Sequence, residues 1–404
     1  MIHSFSCKNF YSFGESAEVN FEVNDNAPEN NGYFKTPSGV RLSKVETVIG
    51  PNASGKTNLL KILPFLKWLI IDSFNTKPED PIVVQSFAFG EAKDQPTELS
   101  VVFEIDGKVY SYSFVLNKQK ILSEELKLTS FVKEKKSSKK IFSRSWDEAS
   151  NHYKFEGDNF ELSKGFENLL RKNASVIGTA ARLNHKDSQE IAKFWQRIET
   201  NVIEAGWIGD HLLPNSIAQL GEAFDFFSEN KNSTLKTEAE KLLSRFDLGL
   251  EGFEIKKEKK ENGFSLNVRA AHLFNGQKSY LPVQYESSGT KQLFVLLKSI
   301  LQALAEGGVA VLDEFDVNLH PEMVMALFDL FVQPETNPKN AQLIMSTHSH
   351  MILSKLDKYQ IILVEKNKDG ISEAWRLDEV SGIRADENYY SKYLAGAYGA
   401  VPKL

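Results

Sequence analysis

The chain has 404 residues, of which 41% are hydrophobic and 25% are charged, and 48 basic and 54 acidic residues give a net charge of −6. This composition is typical of a globular protein of two or three domains, or of one core with a large insertion. The mildly acidic balance excludes a general electrostatic attraction to nucleic acid, so such binding would need a local basic patch. Cys7 is the single cysteine, which excludes an internal disulfide and disfavours a cysteine-based zinc site.

No segment predicts export or a membrane span. The first residues lack the charged-then-apolar order of a signal peptide. The longest apolar run, 62–71, is interrupted by Pro64 and Lys67 and is shorter than the about 20 residues that a span requires. We therefore expect a cytoplasmic protein without a membrane segment.

The N-terminal region predicts two strands, at residues 2–8 and 17–23, followed by a loop at 24–38 that is rich in Asn, Pro and Gly. Three aromatic residues lie between the two strands: Phe10, Tyr11 and Phe13. One of them is a candidate to stack on an adenine ring, but aromatic residues beside a sheet more often belong to the core.

Residues 50–57, the phosphate loop, read Gly-Pro-Asn-Ala-Ser-Gly-Lys-Thr and have the G-x-x-x-x-G-K-T spacing that binds phosphates. The loop follows a predicted buried strand, Val45–Ile49, and precedes an apolar helical run to about residue 71. Its glycines let backbone N–H groups curl around phosphates, the lysine reaches the β- and γ-phosphates, and the threonine hydroxyl binds Mg²⁺. This strand–loop–helix context disfavours an accidental turn. The nucleotide-binding residues predicted here are Gly50, Asn52, Ser54, Gly55, Lys56, Thr57 and Asn58.

Residues 97–130 predict a β-meander with strands at 98–105, 108–116 and 121–128, because Asp106-Gly107 is a strong hairpin signal. Gln85, upstream of the meander, is a candidate for a glutamine that senses the γ-phosphate and binds the metal. An ordinary loop residue is the alternative for an isolated glutamine.

Two segments are strongly basic, residues 133–140 and 256–260. Either could contact the phosphates of a nucleic acid or a partner. A solvated hairpin tip is the alternative, which we favour.

From residue 161 to 246 the apolar spacing becomes helical, and it predicts helices at 162–172, 187–204, 217–227 and 235–246. The pattern indicates a helical insertion between two halves of one ATPase core. The expected domains are residues 1–157, with the β-meander, the insertion at 158–249, and the second half of the core at 250–404.

Three strands are predicted next, at 253–257, 264–270 and 279–283. They are followed by residues 286–292, the signature segment, which read Glu-Ser-Ser-Gly-Thr-Lys-Gln and precede an apolar helix. An apolar strand, 309–312, then delivers Asp313 and Glu314 at its carboxyl end. We expect Asp313 to hold Mg²⁺, directly or through water, and Glu314 to polarise the attacking water.

A further strand, 342–346, is followed by Thr-His-Ser-His, and we expect His348, directly past the strand edge, to touch the γ-phosphate. His348 and His350 are two residues apart and not on a helix, so they do not have the spacing of a helical zinc pair.

Taken together, the order of these motifs resembles an ABC-type ATPase head of the SMC/RecF/OLD group. The chain more closely resembles bacterial abortive-infection and anti-phage ATP-binding proteins of the AbiLi- and RloA-like kind, to which PtuA and AriA are related. The phrases that carry the likeness include residues 7–13, 50–57, 286–290, 312–316, 318–321, 346–349 and 393–402. The resemblance implies an α/β fold, a mixed central sheet with an antiparallel β-subdomain, and ATP and Mg²⁺ as ligands.

The resemblance also implies a mechanism in which two heads meet head to tail, as a dimer or a higher homo-oligomer, and enclose two ATP molecules. Ser287, Ser288 and Gly289 of one copy would cap the γ-phosphate held by Lys56 of the other, and Asp316 would lie at the boundary between them. ATP binding then shifts an assembly equilibrium.

The sequence departs from the pattern in three places. Ser-Ser-Gly-Thr replaces the Leu-Ser-Gly-Gly-Gln of transporters, which opposes a transporter subunit, and Ala53 replaces a glycine of the loop. Only about 38 residues follow Lys366, too few for the Toprim nuclease domain of OLD-type proteins. We therefore expect no nuclease in this chain and a separately encoded effector. A DNA-maintenance ATPase of RecF type is the alternative function.

Overall fold

The computed structural model describes residues 1–132, 135–157, 160, 165–202, 215–246, 249–260 and 263–402. Its helices are α1 Lys56–Leu60, α2 Ile62–Lys67, α3 Val176–Arg182, α4 Lys186–Gln196, α5 Asn215–Ser228, α6 Ser233–Phe246, α7 Ser288–Glu306, α8 Pro321–Val332 and α9 Tyr389–Leu394. The strands of its first half are β1 Ile2–Lys8, β2 Ala17–Asn20, β3 Tyr33–Lys35, β4 Arg41–Ser43, β5 Val45–Ile49, β6 Thr97–Ile105, β7 Lys108–Leu116, β8 Ile121–Val132, β9 Lys135–Asp147 and β10 His152–Glu156. The later strands are β11 Ile198–Thr200, β12 Leu250–Lys260, β13 Gly263–Phe274, β14 Gln277–Pro282, β15 Val309–Leu312, β16 Gln342–Ser346, β17 Ile361–Lys366 and β18 Ser372–Arg376.

A six-stranded central sheet has the order β11-β15-β16-β5-β17-β18. Its first five strands pair in parallel, and β18 pairs antiparallel to β17. The strands β5, β15 and β16 are buried throughout, which explains why most of their residues are apolar. Parallel strands end at one edge, so the segments that follow β5, β15, β16 and β17 meet there. The predicted α/β fold is confirmed.

A seven-stranded antiparallel sheet has the order β10-β9-β8-β7-β6-β1-β2, and it includes the predicted meander. The hairpin between β6 and β7 closes at Ile105 and Lys108, as expected from Asp106-Gly107. Both turn residues have positive φ, 49° for Asp106 and 82° for Gly107, which is the geometry that an Asp-Gly pair favours. One face of this sheet joins the core that also holds α2, and Phe10 and Phe13 are fully buried in it.

The segment between the two halves of the chain differs from the prediction. Within the described residues, the helix predicted at 162–172 is only a 3₁₀ turn, Phe166–Leu169. The helix predicted at 187–204 ends at Gln196, and β11 follows it. Helical spacing was the wrong interpretation there because Ile198–Thr200 pair in parallel with β15 and become the edge strand of the central sheet. The segment therefore supplies part of the core as well as helices.

Helices α5 and α6 lie beside α7 and β12, in a hydrophobic core separate from the one that holds α2. Phe294 of α7 is fully buried and lies 4.7 Å from Phe224, 4.9 Å from Phe227 and 4.7 Å from Phe253, measured between ring centroids. These contacts fix α5 against the helix that follows the signature segment. No helix among the described residues combines the length and the apolar character that crossing a bilayer needs.

Candidate functional site

The phosphate loop is fixed against β17 and β18 by two close approaches that only glycine permits. A Cβ on Gly50 would lie 2.0 Å from the carbonyl oxygen of Val364. Gly55 has a φ of 118°, and its Cβ would lie 2.4 Å from the Ser372 hydroxyl. Ala53 also has positive φ, 61°, so the loop accepts an alanine at that position only with backbone strain.

Lys56 begins α1, and its ammonium folds back over the loop. It donates hydrogen bonds to the carbonyl oxygens of Gly50, at 2.8 Å, and Pro51, at 3.0 Å. Burial lowers the pKa of Lys56, while the nearby carboxylates of Asp313 and Glu314 oppose that shift. A phosphate oxygen bound in the loop would compete with these two carbonyls for the ammonium.

A polar pocket of about 590 Å³ brings the two halves of the chain together. Residues 52–58 line it. Asp313, Glu314, His348 and Lys366 also line it, and each is the last residue of a central strand or lies within two residues of its end. The structure therefore places nine predicted site residues around one pocket: Asn52, Ser54, Gly55, Lys56, Thr57, Asn58, Asp313, Glu314 and His348.

The acidic turn, residues 313–316, is held by the end of β16. The Ser346 hydroxyl donates a hydrogen bond to a carboxylate oxygen of Asp313 and accepts the backbone N–H of Glu314 at 2.8 Å. Glu314 has a φ of 47°, a conformation that costs energy for a residue with a side chain. The turn thus keeps a strained backbone because neighbouring hydrogen bonds fix it.

Asp316 and His348 are joined by hydrogen bonds. The backbone N–H of His348 donates to both carboxylate oxygens of Asp316, at 3.0 and 3.2 Å. His350 does not line the pocket and instead packs against Tyr393, with the ring centroids 4.8 Å apart and the ring planes tilted by 57°. Burial and the nearby His348 lower the pKa of His350. The geometry agrees with the choice of His348 over His350, although the catalytic role remains a prediction.

The signature segment lies away from this pocket. Ser287 caps α7, and its hydroxyl accepts the backbone N–H of Thr290 at 3.0 Å. Gly289 packs tightly under the loop after the acidic turn, because a Cβ there would lie 2.7 Å from the carbonyl oxygen of Asn318. Ser287 and Ser288 are exposed, and neither serine lines the pocket of its own chain.

Gln85 is also outside the pocket. Its side chain is exposed, and its carbonyl oxygen accepts the backbone N–H of Tyr11 at 2.8 Å. Tyr11 is half-buried, and the Lys61 ammonium lies 4.4 Å from its ring centroid. Full burial of Phe10 and Phe13 excludes them as stacking partners for a base in this conformation.

The sequence reasoning missed Lys366 and Asn201. Lys366 ends β17, so the same strand-end argument that found Asp313 would have identified it. Asn201 lies beyond the end of β11 and contacts Asp313 from the edge of the sheet. No local pattern in the sequence marks that residue.

The side chains present are suited to a nucleotide with Mg²⁺. Thr57 and Asp313 offer a hydroxyl and a carboxylate, which are oxygen donors of the kind Mg²⁺ prefers. Within the described part of the chain, the buried Ser54 hydroxyl has no hydrogen-bond partner, so it is available to a phosphate. The described residues contain no group of three or more His, Cys, Asp or Glu suited to a metal.

Comparison with known proteins gives one family match. The family described as "AAA domain, putative AbiEii toxin, Type IV TA system" matches residues 47–354, more than half of the chain and all of the pocket residues except Lys366. No curated protein matches the sequence.

Several solved structures share an overall likeness with low identity. An SMC head bound to the C-terminal winged-helix domain of ScpA is 15% identical, over 95% of this chain and 99% of that chain, with a TM-score of 0.49. The SMC head domain of Thermotoga maritima is 15% identical, over 93% and 98%, with a TM-score of 0.42. A Pyrococcus furiosus SMC head, bound to the C-terminal domain of ScpA, is 13% identical, over 94% and 97%, with a TM-score of 0.46.

Proposed function

The chain belongs to the family described as AAA domain, putative AbiEii toxin, Type IV TA system, and from this premise we propose that it binds and hydrolyses ATP. The observation that carries the proposal is the pocket itself. The phosphate loop with Lys56 faces Asp313, Glu314 and His348 across one cavity. A cation, a hydroxyl and two carboxylates around a phosphate-sized loop are the parts that phosphoryl transfer to water requires.

Each residue has a distinct task in this reaction. Lys56 exchanges its two carbonyl contacts for phosphate oxygens and so binds the triphosphate. Thr57 and Asp313 would hold Mg²⁺, and the ion would neutralise negative charge on the phosphates. Glu314 orients and polarises the attacking water, and His348, which lines the same pocket, contacts the terminal phosphate.

We further propose that two copies share each nucleotide. Ser287 and Ser288 are exposed and lie outside the pocket of their own chain, so the signature segment is free to face the pocket of a second copy. The helix that starts at Ser288 gives this segment a rigid support. ATP would then hold the two copies together, and hydrolysis would release them.

For the biological role, we propose a sensing or assembly subunit of an anti-phage abortive-infection system that acts with a separate effector. The support is the family description, whose words include "putative AbiEii toxin, Type IV TA system".

We prefer this role to a DNA-maintenance ATPase because several lysines of the two basic segments form ion pairs. In the second basic segment, Lys256 forms an ion pair with Glu254 and Lys257 with Asp225. Ammonium groups that are already paired gain less from contact with a phosphate backbone. In the first segment, Lys140 pairs with Glu156, and residues 133 and 134 lie outside the described residues.

Two matched variants test the proposal. Lys56→Ala should lose ATP binding, because no other residue of the loop supplies a cation to the phosphates. Glu314→Gln should keep ATP binding and lower the turnover rate by about 100-fold or more, as expected for loss of the group that activates water. The measurements are fluorescent-ATP titration and phosphate release.

The same variants test the shared nucleotide. With ATP, Glu314→Gln should have twice the monomer mass or more by light scattering, whereas Lys56→Ala should stay monomeric. A strictly monomeric Glu314→Gln protein at saturating ATP would reject the shared pocket. Normal turnover by that variant would reject the role of Glu314.

A further inference from the structure

Asn201 makes two hydrogen bonds to the backbone of Asp313. Its side-chain oxygen accepts the Asp313 N–H at 2.7 Å, and its side-chain amide donates to the Asp313 carbonyl oxygen at 2.9 Å. Its own backbone N–H donates to the Val311 carbonyl at 3.4 Å. Both polar groups of the Asp313 main chain are therefore satisfied by one side chain.

This arrangement continues the sheet beyond the point where the strand ends. The pairing of β11 with β15 runs from Ile198–Val309 to Thr200–Val311 and then stops. Asp313 lies past that limit, where a regular ladder would supply one donor and one acceptor from the next residues. A primary amide offers the same donor and acceptor, so the Asn201 side chain replaces the missing backbone.

The hydrogen bonds from the Asn201 side chain matter because the backbone of the acidic turn is strained. Glu314, the next residue, has a φ of 47°. Ser346 fixes this turn from the β16 side, and Asn201 fixes it from the β11 side. With either side removed, Asp313 and Glu314 gain freedom to relax towards an ordinary backbone conformation.

Asn201 is in turn tied to a helix of the inserted segment. The side-chain amide of Gln219, on α5, donates to the Asn201 carbonyl oxygen at 3.0 Å. Helix α5 packs on α7 through Phe224 and Phe227, which both contact Phe294. The position of α5 therefore bears on the backbone that holds Asp313.

From these contacts we propose that Asn201 is a positioning residue for Asp313 and Glu314, and that Gln219 couples helix α5 to the acidic turn. This inference rests on the proposed ATPase function, since its effect on turnover is transmitted through Asp313. Asn201 does not line the pocket, so it acts on the reaction only through the acidic turn.

A matched control separates positioning from ordinary stabilisation. Asn337 makes the same pair of bonds to another backbone: its side-chain oxygen accepts the Ala341 N–H at 2.7 Å, and its amide donates to the Ala341 carbonyl at 2.9 Å. Asn337 lies before β16, at the opposite end of that strand from Ser346. Asn337→Ala should lower the unfolding temperature and keep kcat within about two-fold of wild type.

The first measurement needs neither nucleotide nor metal. In hydrogen exchange of the free protein, Asn201→Ala should accelerate exchange of the Asp313 amide by about 10-fold, because its acceptor is gone. Binding of ATP without Mg²⁺ should be unchanged, because Asn201 does not touch the phosphate loop. Asn337→Ala should leave exchange at Asp313 as it is in wild type.

In turnover assays, Asn201→Ala should lower kcat by about 10-fold and raise the Mg²⁺ concentration for half-maximal rate. Gln219→Ala should act in the same direction by about 2- to 3-fold. In protein that already carries Asn201→Ala, Gln219→Ala should cause no further loss of kcat, because the Asn201 side chain that Gln219 positions is absent there.

The outcomes distinguish the two proposals. If wild-type protein shows no ATP turnover, the proposed function fails. The exchange experiment still tests the hydrogen bonds between Asn201 and Asp313. If wild type is active and Asn201→Ala keeps normal kcat and normal exchange at Asp313, the positioning role is wrong. Additive effects of Asn201→Ala and Gln219→Ala would reject the coupling through α5.

Discussion

Replacing Ser346 by alanine removes the hydroxyl on which the acidic turn depends. Ser346 is fully buried at the end of β16. Its hydroxyl accepts the Glu314 N–H at 2.8 Å and donates to the Asp313 carboxylate. Alanine fits the same space without strain, so the variant tests the hydrogen bonds alone.

The magnitude follows from these two bonds. A bond to a charged carboxylate contributes about 1.5–3 kcal/mol and a neutral bond about 0.5–1.5 kcal/mol, so Ser346→Ala should lower the free energy of unfolding by about 2–4.5 kcal/mol. The Glu314 N–H is left without its partner at a φ of 47°, which favours a changed turn. If most of the energy of the two Ser346 hydrogen bonds serves to hold Asp313 and Glu314 in their reactive positions, kcat should fall by about 10- to 100-fold.

The assay compares Ser346→Ala with Ser73→Ala. The Ser73 hydroxyl is also fully buried and also makes two bonds, donating to the Leu69 carbonyl and accepting the Ser175 N–H. Urea unfolding gives the stability of both variants, and phosphate release gives kcat. Both should lose stability, but only Ser346→Ala should lose turnover. Equal kcat in the two variants, after matching their folded fractions, would refute the argument.

Two further predictions concern the signature segment and a histidine–carboxylate pair between two inner strands of the antiparallel sheet. Gly289→Ala places a Cβ 2.7 Å from the Asn318 carbonyl oxygen, so the turn must shift. We expect a loss of about 1–3 kcal/mol in unfolding free energy and of ATP-driven association, with nucleotide binding by the monomer retained. Burial lowers the pKa of His3, but hydrogen bonds to Glu104 and Glu22 outweigh it and raise the net value above 6.5. Burial raises the pKa of Glu104, but its bonds to His3 and a serine outweigh it and bring it to about 2. The stabilisation by His3 is thus present below pH 6.5 and is lost as the pH rises through the raised pKa of His3. The stabilisation by Glu104 is present above pH 4.5 and is lost as the pH falls towards 2.

The checks on these two predictions are direct. Light scattering with ATP measures the association of Gly289→Ala, and unchanged assembly would place the contact between copies elsewhere. Denaturation of wild type and His3→Gln at pH 6 and pH 9 measures the pH effect. The difference between the two proteins should be larger at pH 6, and a larger difference at pH 9 would contradict the sign.

Strand-end residues were predictable because their signals are local. The apolar run Val309–Leu312 followed by Asp313 and Glu314 indicates a buried strand with carboxylates at its edge, and the structure places them in the pocket. The same is true of the glycine spacing of the phosphate loop. By contrast, Ile198–Thr200 read as part of a helix, because three residues carry too little periodicity to reveal that they pair with β15.

By itself, the sequence determined the parts of a nucleotide site and the α/β class, since glycine spacing, buried strands and strand-end carboxylates are properties of short segments. Tertiary structure alone decided which distant residues support those parts. Asn201, Lys366 and Gln85 show the difference: parallel pairing in the central sheet brings the first two to the acidic turn and the pocket, and leaves the third outside. The physical reason is that contacts between residues more than 100 positions apart depend on strand order, which no single segment encodes.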